Sequence, residues 1–400
     1  MTKTAKPSLV FLCQVFYPDA SSTSQLFRPL LAKLVENGYD VTVLSGRSGV
    51  HEEQRHGSID GIKIRRHGVG LNHKRHLTLR SLAYATFLID VFFSLLFMRN
   101  TNRFIGVTNP PFNIQMLALT SAIRKRQFDY ICLDLHPEGL VRSGLLKNDS
   151  SVTRIWTWLN RVSYKRANKI YAIGRDMMSL LIDTYDLHEN KISYVPHWSI
   201  NEDAPYIEFS ASKFTQSMQL QDKFVVQYSG NMGLWHDMET FVRAAKLLLD
   251  DDSVAFVFIG DGIRRQGAKL LADELGCTNI RWENFVDEED LHESLSACHV
   301  ALISLKEGLE GVAVPCKLYG ILASGRVVLS VSPATSETAL TVNEHGCGVN
   351  VLPRDVNGLA SAIRDLAAKD SEVVRAMGLK GLEACRTHYS VANALSRLMV

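Results

Sequence analysis

The chain has 400 residues, 46% of them hydrophobic, enough apolar material for two cores, because single cores stop growing at about 250–300 residues. With 44 Lys and Arg against 42 Asp and Glu, the formal net charge is +2, so there is no global field suited to wrapping nucleic acid, and that partner class is excluded. The seven cysteines (Cys13, Cys132, Cys277, Cys298, Cys316, Cys347, Cys385) are scattered without a Cys-x-x-Cys, which excludes a disulfide framework and a zinc site and fits a reducing cytoplasm.

Lys3 to Phe16 joins a short basic lead to an apolar run but has no small-residue cleavage site after it, so it reads as the first strand rather than a leader. Short β-branched or apolar runs then alternate with helix-length periodic segments. This predicts α/β architecture with strands at Ser8–Phe16, Asp40–Ser45, Ile62–Arg66, Phe104–Thr108, Tyr130–Asp134, Ile170–Ile173 and Ser193–Val195. The loop from Phe16 to Ser24 offers Tyr17 and the hydroxyls of Ser22 and Thr23 beside a helix start, which suits a sugar or a phosphate, although helix capping accounts for several of the same hydroxyls.

Between Ile62 and Arg80 stand Lys63, Arg65, Arg66, His67, His73, Lys74, Arg75, His76 and Arg80, with no acid among them. The apolar stretch Leu82 to Met98 follows. With Asp90 in its middle it falls short of the 18–20 uninterrupted apolar residues a bilayer span needs. A basic lead before an apolar helix predicts peripheral contact with anionic lipid through residues 62–98; the alternative is a core helix with a solvated lead-in. Asp134-Leu135-His136-Pro137-Glu138 closes a strand, where a carboxylate or His136 can act as a base, or the histidine can serve as a structural hydrogen-bonder.

An irregular polar stretch from about Ser199 to Asp222 separates this half from a second run of strands at Phe224–Tyr228, Val254–Ile259, Ile280–Glu283, Val300–Ser304, Val327–Ser330 and Gly348–Val351. The expected division is a Rossmann-like domain over 1–200, a second over 201–385, and a terminal helix over 386–400 crossing back to the first; Glu372 to Val400 reads as helical throughout. In sheets of this kind ligands bind outside the carboxyl ends of the strands.

Gly230-Asn231-Met232-Gly233 joins a strand to a helix beginning near Asp237, a turn in which glycines let the backbone approach a phosphate. Gly260-Asp261-Gly262 resembles a dinucleotide fingerprint but has Arg265 where the third glycine belongs; Arg264 and Arg265 could reach a diphosphate, or be merely solvated. Glu307 to Gly320 carries Glu310, enters a helix through Pro315 and places Lys317 in its first turn, where the dipole disfavours a cation unless an anion sits in front of it. No Asp-x-Asp stands at a strand end, so no metal is expected.

Taken together, Phe16-Tyr17-Pro18, Gly38 to Leu44, Thr108-Asn109-Pro110-Pro111, Asp134 to Glu138, Val195-Pro196-His197-Trp198, Ser229 to Gly233, Gly260-Asp261-Gly262, Val314 to Gly320 and Ser336-Glu337 resemble the GT-B glycosyltransferases of family 4, in the bacterial polysaccharide and lipopolysaccharide branch. The resemblance implies two Rossmann-like, doubly wound parallel-sheet domains facing a cleft, the first on the acceptor side and the second binding a nucleotide-sugar donor. It implies a retaining, metal-independent hexosyltransferase without cofactor, moving a sugar from a nucleoside-diphosphate sugar, UDP-linked, to a lipid-linked or saccharide acceptor at the cytoplasmic face of the membrane. Donor contacts would come from Gly230, Asn231, Gly233, Arg264, Val314, Lys317, Leu318 and Glu337, and acceptor contacts from Tyr17, Ser22, Thr23 and Asn109. Glu310, His136 and Glu138 would have catalytic roles. The chain departs from the family pattern in having Val312 and Gly320 where the Glu-x7-Glu carboxylates stand, and Asn231 and His236 where an arginine and a lysine stand. Two other readings share the fold: a nucleotide-sugar epimerase and a non-catalytic partner subunit.

Overall fold

Strands that are apolar at consecutive positions must be covered on both faces, and a parallel sheet flanked by helices provides that cover. The computed structural model, which describes residues 6–19, 21–47, 56–69, 77–98 and 103–399, contains two such sheets. The chain divides into two compact units, Met1–Pro196 with Val391–Val400, and His197–Ser390.

In the first unit the chain runs β1 (Ser8–Leu12), α1 (Ser22–Glu36), β2 (Asp40–Gly46), β3 (His56–Ile59), β4 (Ile62–His67), α2 (Leu77–Phe97), β5 (Arg103–Val107) and α3 (Asn113–Arg124). It continues through β6 (Phe128–Cys132), α4 (Glu138–Arg142), α5 (Ser151–Arg166), β7 (Lys169–Ala172), α6 (Arg175–Tyr185) and β8 (Ile192–Tyr194). The sheet order is β3-β4-β2-β1-β5-β6-β7-β8, parallel except for β3. That edge strand lies outside the expected set. It pairs with β4 across Asp60-Gly61, both at positive φ, the Asp-Gly turn that hairpins favour, so its signal is present in the sequence. Helices α2, α3, α5 and α6 pack successively side by side, while α1 packs against β2 and β4.

The second unit runs α7 (Lys213–Ser217), β9 (Phe224–Ser229), α8 (Met238–Leu247), β10 (Val254–Ile259), α9 (Arg265–Leu275), β11 (Ile280–Glu283), α10 (Leu291–Leu295) and β12 (Val300–Ser304). It then forms α11 (Lys317–Ala323), β13 (Val327–Val331), α12 (Glu337–His345), β14 (Gly348–Val351), α13 (Val356–Ala367) and α14 (Ser371–His388). The order is β11-β10-β9-β12-β13-β14, all parallel. Strand order reverses between β1 and β5 in one sheet and between β9 and β12 in the other. The loops after those four strands therefore border the two switch points where such sheets bind ligands.

The segment expected as one terminal helix is two: α14 stops at His388, and α15 (Val391–Leu398) packs on α1 in the first unit. A buried ionic clamp holds it there. Arg103 Nε pairs with Asp129 Oδ2 at 2.5 Å, and Arg103 Nη2 and Tyr171 Oη both donate to the Leu398 carbonyl, at 2.7 and 2.9 Å. Asn168 Nδ2 donates to the other Asp129 oxygen at 2.9 Å. Removing one member of a buried pair leaves the other charge uncompensated, at roughly 3–5 kcal/mol. Asp129→Ala should therefore destabilise the first unit by about 3 kcal/mol, the low end because Arg103 keeps some solvent. Urea unfolding followed by Trp156 and Trp158 fluorescence checks this; an unchanged midpoint would mean the clamp is energetically idle.

Candidate functional site

In the second unit the two glycine turns lock onto one another. Gly230 N donates to the Ile259 carbonyl at 2.9 Å, Met232 N to Asp261 at 2.7 Å, and Arg264 N to Met232 at 2.9 Å. Gly260 and Gly262 lie at φ +123° and +141°, and a Cβ on Gly260 would stand 2.2 Å from the Gly230 carbonyl oxygen. These glycines admit the neighbouring main chain. Gly230 admits a side chain: a Cβ there would meet Lys317 Cε at 2.6 Å.

Lys317 passes beneath that turn. Its Nζ donates to Tyr228 Oη and, at 2.8 Å, to the Asn231 carbonyl, and sits 4.1 Å from the Tyr228 ring centre. The third neighbour is His236 Nε2 at 3.5 Å. His236 Nδ1 is 2.9 Å from the Ser304 carbonyl, which can only accept, so Nδ1 carries the proton and Nε2 presents a lone pair to the ammonium. Burial and the adjacent ammonium push His236 down to about 3, so the ring stays neutral. Burial alone pushes Lys317 down to about 7, and among the described residues no carboxylate pairs with it to oppose the shift.

The helix carrying Lys317 begins at that residue, two positions later than expected, with Leu318 N bonded to the Pro315 carbonyl at 3.2 Å. Leu318 is fully buried and its side chain packs the core. Val314 is 6% exposed, Glu310 half-buried and Val312 fully buried. Glu337 is buried as the first residue of α12 behind its cap Ser336, and accepts from Thr341 Oγ1 at 3.3 Å. Arg264 is exposed, whereas Arg265 turns away to donate to the Glu283 carbonyl at 3.3 Å. Lys306 escapes the sequence reading. Its amide bonds the Trp235 carbonyl at 3.0 Å, placing it beside the first glycine turn, and its pKa is lowered by burial and by the nearby Arg264 and Arg354. Those three cations come from different loops, so no local pattern marks them.

In the first unit Tyr17 is exposed under the Arg28 guanidinium, 4.6 Å from the ring centre, Ser22 is exposed and Thr23 half-buried. The cap of α1 is Ser21, which accepts from Ser24 N at 3.2 Å and leaves the next two hydroxyls outside the capping bond. The Asn109 carbonyl accepts from Gln14 N at 3.1 Å and Asn113 Nδ2 at 2.9 Å, tying the loops after β1 and β5 together at the switch point. The basic run is only partly surface. Arg66 is buried, donating to the carbonyls of Phe16, Tyr17 and Gly46 and to Ser45 Oγ. Lys63 pairs with Asp40 at 2.7 Å, and His67 with Asp90 at 3.3 Å, so acids absent from the local sequence are supplied in space. His73, Lys74, Arg75 and His76 lie outside the described residues, as does the side chain of Arg80.

Beyond β6, Glu138 Oε1 accepts from Tyr185 Oη, while among the described residues its buried Oε2 has no hydrogen-bond partner and His136 Nδ1 is likewise buried without one. Asn160 Nδ2 donates to the His136 carbonyl at 2.5 Å and to Tyr185 Oη at 2.9 Å, and Gln115 Nε2 to Asn160 Oδ1 at 2.6 Å. Burial raises Glu138, raises Asp134 to about 6 and lowers His136, giving a neutral imidazole beside carboxylates that hold protons more readily than usual. Tyr185, Asn160 and Gln115 arrive from three helices, and no sequence motif joins them.

Residues 223–369 match the family model described as glycosyl transferases group 1. The chain is 28% identical over 301 residues to "Probable glycosyltransferase WbjE" of Pseudomonas aeruginosa, covering 75% of this chain and 74% of the relative. The chain is a glycosyltransferase. Its fold is GT-B: WaaG, a glycosyltransferase involved in lipopolysaccharide biosynthesis, superposes with TM-score 0.73 at 15% identity over 97% of this chain and 98% of its own. Anabaena HepE, in complex with UDP and glucose, superposes with TM-score 0.72 at 15% identity over 98% of each chain.

The interlock predicts that Gly260→Ala lowers the stability of this glycosyltransferase's second unit by at least the roughly 1–3 kcal/mol of a strained backbone residue, because the two turns must part. Gly267→Ala, where a Cβ would meet nothing within 4 Å, should not. Thermal unfolding of the two variants side by side checks it.

Proposed function

We propose that the enzyme transfers a sugar from a UDP-sugar to a lipid-linked or saccharide hydroxyl, with retention and without metal, in cell-surface polysaccharide biosynthesis. The observation that carries this is the Lys317 ammonium: desolvated, without a carboxylate, and bordering the switch point of the second sheet. A diphosphate supplies the missing negative charge. Lys306 and the exposed Arg264 add charge from the flanking loops, in place of the family cations replaced by Asn231 and His236. The turn Gly230-Asn231-Gly233 and the main chain near Val314 border the diphosphate, Glu337 holds the ribose or the diphosphate, and Glu310 faces the donor sugar. WaaG's lipopolysaccharide role and the UDP and glucose bound by HepE support the acceptor class and the donor class.

In the reaction the bond between the sugar's anomeric carbon and the β-phosphate oxygen breaks and a bond to the acceptor oxygen forms. The acceptor's proton passes to the departing phosphate. Fixed positive charge at that phosphate is the main contribution asked of the protein, since preorganised electrostatic stabilisation usually outweighs the other sources of rate in such sites. His136 and Glu138 orient the acceptor hydroxyl, with Tyr17, Ser22, Thr23 and Asn109 along its approach. Val312 and Gly320 contribute no carboxylate, so the mechanism takes no step through the Glu-x7-Glu positions. The enzyme works at the cytoplasmic face of a membrane, touching it through residues 62–98; no helix among the described residues is long and apolar enough to cross one.

Three outcomes test this. Activity should survive excess EDTA, and loss restored by Mg²⁺ or Mn²⁺ would overturn metal independence. Lys317→Ala should weaken UDP-glucose binding by about one to two orders of magnitude, as a lost charge-assisted hydrogen bond costs roughly 1.5–3 kcal/mol. If the variant binds and turns over like the parent, the donor site is wrongly assigned. The third concerns pH. With free Lys317 near about 7, anion binding selects the protonated form, so parent affinity should be flat below that pH and fall by up to about tenfold per unit above it, with proton uptake on binding. Calorimetry in buffers of different ionisation enthalpy measures the uptake; Lys317→Ala should show neither effect.

A further inference from the structure

On the row of helices α2, α3 and α5, the side turned away from the sheet is apolar. Along α2, Leu82, Ile89, Phe93 and Phe97 are 52, 58, 52 and 74% exposed, at spacings that place them on one stripe. Leu119 and Ile123 on α3, one turn apart, are 49 and 53% exposed; Val152, Ile155 and Val162 form a stripe on α5 at 59, 59 and 50%. Single exposed aliphatics are ordinary, but a set running across three adjoining helices marks an interaction surface.

At the end where α3 and α5 stop and β6 and β7 begin, the surface changes character. A cavity of about 580 Å³ is lined there by Lys125, Arg126, Lys165, Arg166 and Lys191, together with uncharged residues and no acid. Of the carboxylates nearby, Asp186 is paired with Lys165 at 2.9 Å, and Asp129, which accepts from the lining Asn168 at 2.9 Å, is paired with Arg103. The C-terminal ends of the two helices add about half a negative charge each, which leaves most of the five positive charges uncompensated. Arg126 is held in place by donating to the Met98 carbonyl at 2.6 Å and lying 5.4 Å from the Phe104 ring centre, yet its buried Nη1 has no hydrogen-bond partner among the described residues. Partial burial lowers the pKa of Lys191, and partial burial together with the neighbouring Arg124 lowers that of Arg126, as expected of crowded cations.

We propose that this face of the first unit docks on an anionic bilayer, the apolar stripes entering the acyl boundary and the basic cavity receiving a lipid phosphate. The proposal rests on the reading that the enzyme works at a membrane through residues 62–98, and extends that contact from α2 to α3, α5 and the cavity between their ends. The layering of the surface, apolar and then cationic, matches the layering of a bilayer, acyl and then phosphate. Trp158, 61% exposed between Arg154 and Arg161 on α5, has the amphipathic character found at that boundary. A second copy docked symmetrically on the same patch would bring the same five cations against these.

The test is flotation of the full chain with vesicles of phosphatidylglycerol and phosphatidylcholine, against vesicles of phosphatidylcholine alone. The parent should be recovered with the anionic vesicles and released by salt. Lys125→Glu with Arg166→Glu should reduce recovery by tenfold or more, since each basic residue at an anionic surface contributes a factor of roughly five. Ile155→Glu with Val162→Glu should reduce it similarly, with UDP-glucose binding and unfolding temperature unchanged in both. Parent-like flotation of both double variants, or equal recovery on neutral vesicles, overturns the proposal. So does a lipid-free dimer in gel filtration that Ile155→Glu with Val162→Glu abolishes, because the face then belongs to a second copy. Failure of the parent to bind UDP-glucose would count against the donor-site reading alone.

Discussion

A lysine ammonium held out of water, with neutral acceptors around it and no carboxylate, is the constraint on which the second unit's ligand edge is arranged. Tyr228 at the end of β9, the Asn231 carbonyl in the turn and His236 after it all face that one charge. Gly230 lacks a side chain where the lysine stem passes, and Gly260 and Gly262 lack theirs where the two turns touch. The tautomer of His236 follows from its bond to Ser304, so even β12 takes part in setting what the ammonium meets. In such surroundings the lysine remains charged at neutral pH only marginally, and a phosphate alters that balance more than it would beside an exposed lysine.

The first unit uses the same device with different chemistry. Beneath the loop after β1, Arg66 is buried and donates to three carbonyls and a hydroxyl. A guanidinium does not give up its proton under these conditions, so this cation is a permanent tie. The choice of arginine beneath one switch-point loop and lysine beneath the other separates a fixed scaffold from a charge that responds to what binds.

Most of the architecture is legible because parallel strands announce themselves as unbroken apolar runs: Val254–Ile259 can be little else, and Phe224 and Val300 open comparable runs. The strand-to-helix loops are legible for the same reason, since glycine and proline punctuate them. What escapes is assembled across distance. Lys306 reads as an ordinary loop lysine until β12 brings it beside Trp235, and the partners of Glu138 sit on three helices. Where local reading misleads, charge is the cause. The run around Arg66 and His67 looks acid-free and solvated, yet Asp40 and Asp90 compensate part of it and two of its members are buried.

The last ten residues of the chain belong to the first unit, with the whole of the second unit inserted before them. As the chain leaves the ribosome, α1 therefore lacks the helix that will cover it, and Arg103 and Tyr171 lack the Leu398 carbonyl, until α15 has emerged. The second unit is contiguous and can close its core earlier, whereas the first must wait for a contact nearly 300 residues away in sequence, 295 from Arg103 to Leu398. Completion of the first unit thus depends on a segment made after the whole of the second, and a product cut before Val391 would retain a foldable second unit beside an open first one.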